Sequence, residues 1–112
     1  MKDKVDVFME CGMRRPEAKV LIYLFRHTSA FSRNIEHEMD LRQPEVSLAM
    51  STFLKRKWIK TVEQKKETKG RPTIEYSLAV DNKKVILELK KDVNNRLKLL
   101  YNTLDKLDKL VI

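Results

Sequence analysis

Apolar residues recur at helical spacing along most of this chain, and the places where the spacing changes mark its elements. Val5, Phe8 and Met9 give an apolar face to a first helix over Asp3 to Cys11, which Gly12 ends in the C′ role. Pro16 then opens a second helix at a first-turn position where its missing N–H costs nothing. Ala18, Leu21, Ile22, Leu24 and Phe25 repeat there every three or four residues and mark it as core-forming, and Thr28 and Ser29 break it. A short third helix runs from Ser32 to Met39, with Ser32 at its N-cap and Phe31, Ile35 and Met39 on one face. Asp40-Leu41-Arg42 is too short and polar to extend that face and reads as a turn. A fourth helix covers Gln43 to Lys57, with Pro44 in its first turn, Glu45 beside its positive end, and Val46, Met50, Phe53 and Leu54 as its buried stripe.

After Lys57 the period changes to two. Trp58, Ile59 and Val62 begin one strand, and Ile74, Tyr76 and Leu78 alternate with Thr73, Glu75 and Ser77 in another. The polar stretch 64–72 between them, with Gly70 and Pro72, makes a β-hairpin with a charged tip. Residues 81–112 read as one long helix. Ile86, Val93, Leu100 and Leu107 are spaced by seven, and Leu97, Leu104 and Val111 fall between them at four-three spacing, which makes about three heptads of coiled coil. Lys90 occupies the remaining core position and weakens the start of the seam. A lone amphipathic helix of this length cannot bury its own stripe. The expected organisation is therefore a mainly α body over 1–80 with a two-stranded β-wing, followed by a dimerisation helix over 81–112 that pairs with a second copy, parallel or antiparallel.

Charge sharpens this picture. The 112 residues carry a net charge of +8, and 36% of them are charged, well above the usual quarter or so. Between Lys55 and Arg71 stand eight basic residues against Glu63 and Glu67, a local charge of +6 that accounts for most of the excess. A charge so concentrated points to a polyanion-binding surface rather than to general solubility. Cys11 is the only cysteine, which excludes an internal disulfide and any CxxC metal site; a structural thiol is the expected role. His27 and His37 lack ligand partners at helical spacing, so no metal and no cofactor are expected. No nucleophile–base pairing, P-loop or glycine-rich phosphate cradle is present, and catalysis is not expected. The charged, non-apolar start of the chain and the absence of an 18-residue apolar run fit a cytoplasmic protein with no membrane partner.

The order helix, helix, short helix, tight turn, helix, hairpin contains a pair with helix-turn-helix lengths, Ser32 to Met39 and Gln43 to Lys57. The run Leu41-Arg42-Gln43-Pro44-Glu45-Val46-Ser47-Leu48-Ala49-Met50, followed by Leu54-Lys55-Arg56-Lys57-Trp58-Ile59, resembles winged helix-turn-helix transcriptional regulators of the ArsR, MarR and TrmB type. Lys69-Gly70-Arg71-Pro72 with Ile74-Glu75-Tyr76-Ser77-Leu78 resembles their wing and return strand. The likeness spans residues 16–79 and leans toward small stand-alone archaeal regulators. It implies a homodimer that binds double-stranded DNA and regulates transcription. Two positions depart from the family's pattern: Lys57 replaces a common Gly before the wing, and Leu48 stands where Arg or His is frequent.

The physics of a helix in the major groove leads to the same surface. With Val46, Met50 and Phe53 inward, Gln43, Pro44, Ser47, Leu48 and Ser51 face outward, with Thr52 at the flank. Gln43 suits bidentate contact with adenine, Ser47 and Ser51 suit bases or phosphates, and Leu48 suits only a thymine methyl. Glu45 has two readings, acceptor from cytosine or partner of the helix dipole. Lys55 and Arg56 are expected at phosphates, and Lys65, Lys66, Lys69 and Arg71 along the backbone or in the minor groove, with Gly70 allowing close approach. Two successive recognition helices would lie about 34 Å apart on a pseudo-palindromic operator. The competing expectations are a winged-helix protein-interaction module in a larger assembly and a sequence-nonspecific, chromatin-like DNA binder. The sequence names no small-molecule effector.

Overall fold

A computed structural model describes residues 4–64 and 73–111. The chain divides into two compact units, Met1–Asn82 and Lys83–Ile112. The first contains α1 (Lys4–Glu10), α2 (Arg15–Arg26), β1 (Ser29–Phe31), α3 (Ser32–Glu38), α4 (Gln43–Lys55), β2 (Ile59–Gln64) and β3 (Thr73–Leu78). A fifth helix, α5 (Asn82–Asp108), makes up nearly all of the second.

Helix α2 is the centre of the first unit. Ala18, Val20, Leu21, Ile22, Tyr23 and Leu24 are all buried, so over one turn and a half the helix is enclosed on nearly every side. It packs against α1, α4 and β3. Val20 and Tyr23 do not belong to the apolar stripe read from spacing, and Phe25, which does, is only half-buried. The Tyr23 hydroxyl lies within the influence of Glu38 of α3; burial, and then this carboxylate, push the phenol above its ordinary value. The Lys19 ammonium donates to the Met39 carbonyl at 3.2 Å, a tie from α2 to the end of α3.

Three helices end in the same way. After α1, Gly12 (φ 105°) sits in a Schellman turn in which its N–H donates to the Met9 carbonyl and that of Met13 to Phe8. After α3, Asp40 takes the left-handed position (φ 53°) and the Leu41 N–H reaches back to the Glu36 carbonyl. After α4, Lys57 (φ 62°) does the same, with Lys57 N–H to Leu54 and Trp58 N–H to Phe53, both 3.0 Å. The Phe53 and Trp58 rings stack at 5.7 Å across this last turn and supply the apolar contact that accompanies the motif. The Lys57 departure from glycine therefore falls at a residue whose backbone needs a conformation that glycine adopts freely and lysine does not.

The sheet is three-stranded and antiparallel in the order β1-β3-β2, with the expected two-stranded wing as β2 and β3. Beyond the expected hairpin, Ser29, Ala30 and Phe31 pair with Ser77, Tyr76 and Glu75 on the other edge of β3. In the hairpin Ile59 opposes Leu78, Thr61 opposes Tyr76 and Glu63 opposes Ile74. Trp58 precedes β2 rather than opening it, is 1% exposed, and accepts the Ala79 N–H on its carbonyl at 2.8 Å, closing the base of the hairpin.

Several expectations are corrected. Met9 (37% exposed) and Leu54 (40%) lie outside the core, because only Val5 and Phe8 of α1 and Val46, Ala49, Met50 and Phe53 of α4 face inward. Ser32 does not cap α3: Phe31 holds the N-cap position without a side-chain bond, since Ser29–Phe31 is committed to the sheet. Helix α4 stops at Lys55, two residues early, because Arg56 and Lys57 form the turn into β2. Helix α5 ends at Asp108, where i to i+3 bonds from Leu110 to Leu107 and from Val111 to Asp108 tighten the chain, so Val111 is not on the helix.

The φ of Lys57 generates a stability prediction. Lys57→Gly should raise the unfolding free energy by about 1 kcal/mol, since a left-handed non-glycine residue costs on the order of 1–2 kcal/mol. Thermal or urea unfolding should show a midpoint several degrees, or a few tenths molar, above the parent; an unchanged or lower midpoint contradicts the strain.

Candidate nucleic-acid interface

Helix α3 and α4 are joined by the tight turn at Met39 to Arg42, with α3 packed on α4 and α4 on α2. The start of α4 has no side-chain acceptor at its N-cap, because that residue is Arg42, whose guanidinium can only donate. Glu45 instead turns back, and its Oε1 accepts the Arg42 N–H at 2.9 Å. Helix α2 begins the same way: Arg14-Arg15-Pro16-Glu17 matches Arg42-Gln43-Pro44-Glu45, and Glu17 Oε1 accepts the Arg14 N–H at 3.0 Å. The repeated Arg-x-Pro-Glu was a sequence signal for this shared start. Glu45 thus makes a bond at the helix start that requires no DNA.

The rest of α4 splits into two faces. Val46, Ala49, Met50 and Phe53 point into the core, and Gln43, Pro44, Ser47, Leu48, Ser51 and Lys55 are exposed. At about 100° per residue, Pro44, Leu48, Ser51 and Lys55 form the line directly opposite the buried stripe. Leu48 is the most exposed apolar residue of the helix, at 61%. The Thr52 hydroxyl donates to the Leu48 carbonyl at 3.2 Å, which commits its proton to the helix itself. Arg56 is half-buried with its guanidinium 4.0 Å from the Trp58 ring centroid, so it is partly spent on covering the core. Lys55 rather than Arg56 is the basic residue on the outward line.

Beside this face lies a cleft of about 460 Å³ lined by Arg14, Pro16 and Glu17 of the α2 start and by Glu45, Leu48, Ala49 and Thr52. Both capping glutamates face it. The α2 side of this cleft is an addition to the residues expected from sequence. Lys65, Lys66, Lys69, Gly70 and Arg71 lie outside the described residues. Lys60 and Glu63 on β2 are exposed, so the described part of the hairpin carries charge of both signs toward solvent.

The arrangement recurs in solved structures. A possible transcriptional regulator from Methanosarcina mazei superposes with a TM-score of 0.70 at 12% identity, covering 95% of this chain and 90% of its own. A PadR family transcription regulator from Clostridium difficile matches with a TM-score of 0.53 at 17% identity, covering 81% and 98%. A MarR family regulator from Neisseria meningitidis matches at 0.51 and 20% identity, covering 94% and 80%. The fold is a winged helix-turn-helix. At these identities the likeness is one of architecture, and no family model and no curated protein matches the sequence.

In winged-helix terms, α3 and α4 are the helix-turn-helix, the β2–β3 hairpin is the wing, and β1 is the short strand that completes the sheet. Among the described residues no helix is long and apolar enough to cross a membrane, and no group of three or more His, Cys, Asp or Glu is placed to hold a metal ion. His27 is stacked on Tyr23 at 4.1 Å, a packing role.

The two readings of Glu45 separate experimentally. Glu45→Ala should cost about 1 kcal/mol of stability through loss of the helix-start bond and the favourable charge at the positive end. It should not weaken binding to duplex DNA, because it also removes a negative charge from the face. A large affinity loss at unchanged stability would instead assign Glu45 to base contact.

Proposed function

We propose that this chain is a homodimeric regulator of transcription that binds double-stranded DNA with α4 in the major groove. The carrying observation is the split character of α4: the second helix of a helix-turn-helix, anchored by four buried residues, with an opposite face of small polar, apolar and basic side chains committed to nothing in the core. The +6 segment from Lys55 to Arg71 starts at the end of that helix and continues into the wing. Its residues Lys65, Lys66, Lys69 and Arg71, with Gly70 for close approach, take the phosphate backbone or the neighbouring minor groove. Gln43, Ser47 and Ser51 supply the polar contacts to bases, with Pro44 and Thr52 beside them, and Lys55 and Arg56 the first phosphates. That structures of the same architecture belong to proteins described as transcriptional regulators supports the reading.

The second unit supports the homodimer. Val85 and Leu89 are the buried residues of α5 and Ile86 is half-buried. From Val93 onward the same stripe is exposed: Val93, Leu97, Leu100, Leu104 and Leu107 each show between 40% and 63% of their surface. Val111, beyond the helix end, is 83% exposed. Leucines this exposed at heptad spacing suit a second copy of the same helix. The pair would hold two α4 helices for successive major grooves.

Binding of the purified chain to genomic DNA fragments across a salt series tests the DNA reading. Affinity should fall with a log–log slope near −0.9 per phosphate covered, which for six phosphates is roughly a thousandfold between about 50 and 200 mM salt. Selective retention of a few fragments is expected. Uniform retention would indicate a nonspecific coating protein, and no retention at low salt a protein-interaction module. For the dimer, Leu100→Asp combined with Leu104→Asp should sediment as a monomer and lose at least tenfold in DNA affinity while keeping its helical content. A dimer that survives both substitutions removes α5 as the interface.

A further inference from the structure

The centre of the outward face of α4 is apolar, and this constrains what it can read. On a helix lying in the major groove, the residues opposite the buried stripe approach the base edges most closely. Here those residues begin with Pro44 and Leu48, one turn apart, before Ser51 and Lys55. Neither Pro44 nor Leu48 has a side-chain hydrogen-bonding atom. Leu48 is 61% exposed although an apolar core lies on the other side of the same helix, and it gains nothing from that exposure in the isolated chain. The hydroxyl proton of Thr52, one turn on, is turned to the Leu48 carbonyl and is not offered outward there.

The major groove displays donors and acceptors on every base pair but only one apolar group, the C5-methyl of a pyrimidine. We propose that Leu48, with Pro44 beside it, is a specificity-determining contact for a 5-methylpyrimidine, thymine being the ordinary source, at the centre of each half-site. Without that methyl, Leu48 would desolvate the polar edges of the bases it faces and return no hydrogen bond. The residue therefore rejects sites as much as it selects them. This inference rests on the DNA-binding reading above and names the chemistry its recognition helix prefers.

The test uses the full chain and the genomic fragments it retains at low salt, re-amplified with deoxyuridine in place of thymidine, which removes the methyl and leaves base pairing intact. Affinity should fall about fourfold for each methyl group covered, and so about sixteenfold for two half-sites. Leu48→Ala, at an exposed helix position where alanine is well tolerated, should lose most of the difference between the thymidine and deoxyuridine forms. A second arm replaces cytidine with 5-methylcytidine: no change there alongside the deoxyuridine loss identifies thymine as the source, whereas a gain without that loss identifies methylated cytosine. Equal affinity for all forms, or the same deoxyuridine loss in Leu48→Ala as in the parent, overturns the proposal. A chain that retains no duplex at low salt fails the DNA-binding reading itself, whereas one that binds selectively but ignores the methyl fails only this inference.

Discussion

The first unit depends on the turn that carries the chain out of α4 and into β2. In three residues the backbone leaves the helix, passes through a left-handed Lys57 and delivers Trp58 to the core. Two reciprocal backbone bonds and the Phe53–Trp58 stack hold that turn. Trp58 is the largest fully buried side chain, and its carbonyl accepts the Ala79 N–H at the foot of the hairpin. One residue thus closes the turn that follows α4, fills the core and roots the wing. Splaying this turn would move the wing relative to α4, which is why a lysine is held in a conformation that disfavours it.

The same economy appears at the helix starts. Arginine at an N-cap offers no acceptor, and both α2 and α4 compensate with a glutamate three residues on that satisfies the N-cap N–H. Glu45 thereby serves the positive end of α4 without leaving its outward face. What remains on that face is modest in polarity: a glutamine, two serines and a lysine around Pro44 and Leu48. Basic charge is concentrated at and after the end of the helix. Affinity through phosphates and discrimination through bases would thus come from different segments, as the division between positioning and specifying contacts requires.

The second unit is governed by a different balance. Helix α5 presents heptad leucines with about half or more of their surface uncovered, an exposure from which an amphipathic helix gains nothing. Tyr101, at 64% exposure and directly after Leu100, flanks the seam and widens its apolar face on one side. Lys90 and the buried Val85 and Leu89 near the helix start put the exposed stripe in its later half, from Val93 onward.

Residues with a strong local reason to be where they are were legible in the sequence. Pro16 and Pro44 opened their helices, Gly12 closed the first, and the change from helical to alternating spacing located the hairpin. The stripe of Val46, Met50 and Phe53 was enough to find the outward face of α4, because helical periodicity assigns both faces once one is known. Strand β1 was not legible. Ser29-Ala30-Phe31 has no alternation long enough to detect, and it is a strand only because β3 has a second edge within reach. Nor could spacing show that α2 is enclosed nearly all round, that Leu54 and Met9 face solvent, or that Ser32 lies one residue past the cap, since each depends on which neighbour arrives at that face. The sequence alone thus determined the five helices, the hairpin, their apolar and polar faces and the concentration of positive charge, all of which follow from local periodicity and residue type. Only the tertiary structure decided the third strand, the left-handed turn at Lys57 and the exact depth of each apolar residue, because these arise from contacts between segments far apart in the chain.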